Sequence, residues 1–196
     1  MLRLTACVIV LLTTVGCDML KEKKFVEPNF DLRDSQIIVV PFRDLQHWYY
    51  EVEEGRELAK FIVADLQREC DLDVVGGAEV ENAVWEDVEA VDWAEVGRSV
   101  NAKYVLFGVI RELRNDSRGM VGVLRGTVSV DLSVWDVEKD EVAYRERIQK
   151  IYPDNVESGE IGVSFEQSHR ELREQLFLRV AKRVSATFCG EEVDRY

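Results

Sequence analysis

A chain of 196 residues needs few side chains to run a reaction, yet this sequence offers a thin choice of them. Its two histidines, His47 and His169, lie far apart. His169 falls in a run with helical spacing, where a core or boundary imidazole with satisfied partners is expected. His47 stands near Asp44 and Glu51, a setting in which a lone imidazole is solvated rather than catalytic. There is no G-x-G-x-x-G, P-loop, G-x-S-x-G or H-E-x-x-H spacing, and Gly76-Gly77 reads most simply as the end of a strand. The carboxylates Glu79, Glu81, Glu86, Asp87 and Glu89 gather around Trp85 as a solvated acidic face, with nothing to single out a pair for general acid and base work. The sequence therefore predicts a protein that is not an enzyme, needs no cofactor and holds no metal.

Recognition chemistry is better represented. His47-Trp48-Tyr49-Tyr50 places aromatic rings in succession in the loop after the first expected strand. Aromatics are enriched at binding hot spots, and loops at the carboxyl ends of parallel strands are where α/β domains bind. The competing reading has these rings capping the core or lying under the first helix. Trp48 is the residue expected to touch a partner, and full burial of its ring would rule that out. A second candidate surface is the polar face of a later hairpin, with Thr127, Ser129, Asp131, Ser133, Arg145 and Arg147, for which plain solvation is the competing reading.

Cysteine carries the sharpest local signal. The chain opens with Arg3 as its one early charge, runs apolar and small from Leu4 to Val15, and reaches Gly16-Cys17. Charged start, short apolar run and small residue at the cut are the order of a secretory signal, and the run is well short of the roughly 20 residues that span a bilayer. Thr14-Val15-Gly16-Cys17 resembles the bacterial lipobox, although Thr14 stands where leucine is usual. The resemblance implies cleavage before Cys17 and lipid attached to it, which would hold the chain on a membrane. An ordinary signal peptide and a buried first strand are the competing readings. Of the four cysteines, Cys70 and Cys189 then remain as thiols. A disulfide between them and two separate buried thiols fit the sequence equally, since an extracytoplasmic setting permits the bond.

Without residues 1–16 the chain loses Arg3 alone among its charges, so the formal net charge moves from −13 to −14. So acidic a chain has no general attraction to phosphate backbones or anionic lipid surfaces, and nucleic acid is excluded as a natural partner. The organisation expected is a signal peptide over 1–16, a lipidated cysteine and flexible polar tether over 17–34, a single domain over 35–190 and a tail over 191–196.

Within that domain the pattern is α/β, turning to α+β character at the C-terminus. Ile37 to Phe42 is an uninterrupted apolar run, a strand buried on both faces. Leu58, Phe61, Ile62 and Leu66 mark an amphipathic helix over about Glu54 to Glu69. Asp73-Val74-Val75 is a short strand, and Ala78 to Trp85 and Trp93 to Val100 are short helices. Tyr104 to Ile110, the most apolar run after the signal, belongs at the sheet's centre. Val128, Val130, Leu132 and Val134 alternate with polar residues, and Val142 to Tyr152 returns with Val142, Tyr144 and Ile148 on one face. Phe165, Leu172, Leu176, Val180, Val184 and Phe188 recur along a final helix expected from about Ser164 to Phe188, with Ser164 and Gln167 as a capping box. The expectation is one mixed sheet of about five strands with helices mainly on one face, ending in a long C-terminal helix.

Three of these stretches together carry a family likeness: Ile37 to Phe42 with the helix near Gly55; Val96-Gly97-Arg98-Ser99-Val100-Asn101-Ala102 running into the strand Lys103 to Val109; and the hairpin Val128 to Ile148. Their order resembles the envelope-lipoprotein superfamily of the curli-secretion lipoprotein, the lipoprotein activators of penicillin-binding proteins and the N-terminal domain of the Tol-Pal translocation protein. Asn101-Ala102 stands where that group has Gly-Ala. The resemblance implies a non-catalytic interaction or regulatory module in envelope assembly. It would be anchored to the inner or outer membrane, face the periplasm and bind an envelope protein partner. A component of a secretion or transport complex is the alternative, and an unrecognised hydrolase a weaker one. A pore like that of the curli lipoprotein needs long inserted hairpins, for which the link from Ile110 to Val128 is short and charged.

Overall fold

The computed structural model describes residues 23–33, 35–45, 52–76, 91–117, 124–154 and 169–194. The apolar runs pair as their burial demands. Strand β2 (Ile37–Val39) lies parallel between β4 (Val74–Gly76) and β5 (Tyr104–Ser117). From β5 the sheet continues antiparallel through β6 (Leu124–Asp136) to β7 (Glu141–Tyr152), and the short β3 (Arg43–Asp44) runs beside β5. The result is a mixed six-stranded sheet in the order β4-β2-β5-β6-β7 with β3 off that path.

Both long helices cover one side of it. Helix α1 (Val52–Cys70) buries Leu58, Ile62 and Leu66, and α3 (His169–Cys189) buries Leu172, Leu176, Val180, Val184 and Phe188. These side chains meet Val39, Leu106, Ile110, Val130, Leu132 and Ile148 in the main core. Each such aliphatic or aromatic side chain contributes about 1.5–3 kcal/mol by leaving water. Between the two helices Arg173 forms ion pairs with Glu54 at 2.8 Å and Glu57 at 2.9 Å, and the Ser185 hydroxyl donates to Asp65 at 2.8 Å. Cys70 and Cys189, which end the two helices, are joined by a disulfide with Cα atoms 5.6 Å apart.

Among the described residues the other side carries one short helix, α2 (Trp93–Ser99), started by the Asp92 carboxylate, which accepts from the Glu95 N–H at 2.8 Å. It closes a small second core of Ile38, Val40, Trp93, Val96, Ala102 and Val105, with the Trp93 ring stacked on Phe107 at 4.2 Å. The turn out of α2 holds Asn101 at φ 57°, which explains the departure from Gly-Ala in the sequence. Asparagine is among the few L-residues that enter this left-handed region readily.

Several expectations need correction. Lys23–Val26, read as tether, is strand β1, and it pairs antiparallel with β8 (Glu191–Asp194), read as tail. Between β1 and β2, Leu32 is fully buried and Phe30 packs against Tyr104 and Phe188, so this stretch has apolar anchors that hold it against the domain. The charged link after Ile110 is largely strand, because β5 and β6 stay laddered out to Ser117 and Leu124. Charge is compatible with a strand where its side chains meet water. A register shift sets Val142 opposite Trp135 instead of beside Tyr144 in one alternating row. His169 is exposed at the start of α3, its Nδ1 3.2 Å from the Asn115 amide, and is no core histidine. The helix expected at Ala78 to Trp85 and the Ser164/Gln167 capping box fall outside the described residues.

Candidate interaction face

Alternation along β5, β6 and β7 sorts their side chains between the two sides of the sheet. Leu106, Ile110, Val130, Leu132 and Ile148 go to the main core, while Phe107 and Trp135 join the small core under α2. Helix α2 covers only part of that second side. Beyond it the register sets Phe107 opposite Ser133 and Ser133 opposite Arg145, and in the next row Val109 opposite Asp131 and Asp131 opposite Arg147. A register shift after Ile110 brings Arg111 alongside. Together these residues line an open depression of about 470 Å³.

Asp131 is gripped from both sides. Arg147 donates from Nε at 2.6 Å and from its second arm at 3.2 Å, and Arg111 donates from Nε at 2.6 Å. The Arg147 hydrogen bonds, with Arg111 adding to them against partial burial, hold the Asp131 carboxyl below the usual carboxylate range. Arg145 has no ion-pair partner among the described residues. Three guanidiniums against one carboxylate make this a positive face on a chain of net charge −13. Glu146, between the two β7 arginines, turns to the helix side, where it accepts from Arg183 at 2.7 Å and Thr187 at 3.0 Å.

A guanidinium fork suits carboxylate or phosphate, and the half-buried Phe107 and Val109 add an apolar floor. Ser133 has Phe107 and Arg145 as cross-strand neighbours, neither of which is a general base. Among the described residues no group of three or more His, Cys, Asp or Glu side chains is placed to hold a metal ion.

Because Asp131 titrates below its ordinary value, its contribution to stability is present above the unfolded carboxylate pKa and is lost as pH falls through the folded one. Asp131→Asn should therefore cost about 1 kcal/mol or less at neutral pH, since the arginines are mostly exposed and water screens them. The gap between variant and native urea midpoints should narrow as pH drops toward about 3. An equal gap at both pH values would show that Asp131 acts by shape and not by charge.

Of the residues singled out from sequence, Cys17 and the loop His47, Trp48, Tyr49 and Tyr50 lie outside the described residues. The Cys70–Cys189 bond lies at the ends of the two helices that cover the opposite side of the sheet. Asp131, Ser133, Arg145 and Arg147 do come together, whereas Ser129, of the same polar row, is buried. Sequence reasoning missed Phe107, Val109 and Arg111. The available signal was alternation: once β5 pairs with β6, Phe107 and Val109 fall on the same side as Ser133 and Asp131.

No family model matches the chain, and no curated protein does. Among solved structures, PelC from Paraburkholderia phytofirmans, a dodecamer, superposes with a TM-score of 0.53 at 15% identity, over 87% of this chain and 99% of that one. Lipoprotein GNA1162 from Neisseria meningitidis gives 0.48 at 18% identity, over 76% of this chain and 97% of the other. The C-terminal domain of LpoB from Escherichia coli gives 0.38 at 13%, over 72% and 93%. The likeness to PelC is one of fold. No helix among the described residues is long and apolar enough to cross a membrane.

Proposed function

We propose that this chain is a lipid-anchored protein of the bacterial cell envelope whose domain serves as a non-catalytic docking module for an envelope protein partner. The observation that carries the reading is the positive half of the sheet's second side, which no element among the described residues covers. A guanidinium row over an apolar floor, on a chain of net charge −13, is built for selective contact. The lipobox-like Thr14 to Cys17 supports the anchor, and the placement of the domain in the periplasm follows from the same segment. The shared fold with PelC is compatible with an envelope role without assigning one.

Two measurements test this reading. Mass spectrometry of the protein from membranes should find an N-terminus at Cys17 that carries acyl chains; a free Cys17 thiol in an uncleaved chain would contradict the anchor. Crosslinking and recovery from intact envelopes should capture a partner with the native chain. Trp48→Ala/Tyr49→Ala and Arg145→Glu variants, compared at matched abundance, then say which surface carries the contact. Failure of the native chain to capture any envelope protein would contradict the docking role.

A further inference from the structure

Strand β7 closes one side of the sheet, and among the described residues no strand pairs with its outer edge. An edge of this kind presents unpaired N–H and C=O groups as a template for another extended chain. Its ladder to β6 runs without a register shift from Tyr144 to Tyr152, so no bulge interrupts the strand where such a chain would lie.

Both sides of β7 specify what that chain should carry. On the open side Arg145 and Arg147 alternate, about 7 Å apart along the strand, which is the repeat of same-side residues in any extended peptide. The neighbour on the other flank shows what this row accepts: Asp131 of β6, directly opposite Arg147, takes both arms of its guanidinium. On the helix side Ile148 is buried in the main core, and Tyr144 and Tyr152 lie half-buried against it. An added strand would thus meet positive charge with one set of side chains and, with the other, a row in which Tyr144, Ile148 and Tyr152 alternate with Glu146, already held by Arg183, and Lys150.

We propose that β7 receives an extended acidic segment of the partner protein as an added strand. The segment's carboxylates lie opposite Arg145 and Arg147, and its alternate apolar side chains continue the core at Tyr144 and Ile148. This rests on the docking role proposed above and names its surface and the chemistry of its partner. Backbone pairing supplies the attraction and the arginine row supplies register.

The test uses the full lipidated chain in detergent and fluorescein-labelled peptides of alternating Glu and Val, followed by anisotropy. The Glu/Val peptide should bind. A Lys/Val copy, and a Glu/Val copy N-methylated at alternate backbone nitrogens, should each bind roughly tenfold or more weakly. Arg145→Glu removes no ion pair of the fold, so its melting should match the native chain while its preference switches toward the Lys/Val peptide. Equal binding of the N-methylated copy would overturn strand addition in favour of charge alone. Indifference of Arg145→Glu to peptide charge, or no binding of the Glu/Val peptide, would overturn the proposal. A chain that captures an envelope partner yet ignores this peptide keeps the docking role and loses the added strand.

Discussion

Gly55→Ala is expected to cost the domain about 3 kcal/mol or more, enough to abolish its cooperative unfolding transition or move it far down in urea. Gly55 sits one turn into α1, is buried, and its carbonyl accepts the Phe42 N–H at 3.2 Å. A methyl group there would overlap the Phe42 carbonyl, which is backbone and cannot rotate away. Nor can the strand segment retreat, because the Phe42 ring is only 2% exposed and lies over Gly108, where a methyl would strike that same ring. Urea denaturation followed by circular dichroism reads the effect. Gly76→Ala is the control, with nothing within 4 Å of the added carbon, and should stay within about 1 kcal/mol of native. A Gly55→Ala protein as stable as the control would mean that α1 does not seat directly on the backbone at Phe42.

Reduction of the Cys70–Cys189 bond should have the next largest effect. The bond closes a loop with a sequence separation of 119, and restraint of so long a loop in the unfolded chain is worth about 3–5 kcal/mol. The urea midpoint should fall on adding dithiothreitol, and Cys70→Ser/Cys189→Ser should show the lower midpoint with no further response to reductant. Two freely alkylated thiols in protein taken from envelopes, with a midpoint insensitive to reductant, would contradict the bond. The two helices would still touch through Arg173 and the Ser185–Asp65 pair, so the reduced domain should weaken without losing its topology.

Most of the architecture was legible because burial leaves a period in the sequence. Ile37 to Val39 and Tyr104 to Ile110 are unbroken apolar runs of the kind central strands carry, and they became the parallel centre. The alternation from Val128 to Val134 and the helical spacing from Leu172 to Phe188 translated directly into β6 and α3. What escaped were elements made by pairing and not by pattern. Strands β1 and β8 are short and charged, and neither has reason to extend without the other. The outer half of β5 reads as a polar link because Arg111, Glu112 and Arg114 face water or one another, Arg114 pairing with Glu112 at 2.5 Å.

The candidate face was legible on one strand and hidden on the next. The polar row of β6 and the arginines of β7 stood out from alternation, but Phe107 and Val109 looked like core. Whether an apolar side chain on a central strand is covered depends on how far α2 reaches, and a length of 7 residues covers Phe107 in part and leaves Val109 at the rim. The edge position of β7 likewise follows from strand order, which a sequence pattern does not carry.

The most direct measurement of the central claim places a photocrosslinking amino acid at Gln149, at Ile151 and at Lys182 in separate full-length chains and irradiates intact envelopes. Gln149 and Ile151 lie along β7, whereas Lys182 is exposed on α3 of the helix layer. The docking account predicts one shared envelope protein crosslinked from both β7 positions and absent from Lys182. Crosslinks confined to Lys182, or none from any position while the chain remains folded on the membrane, would contradict it.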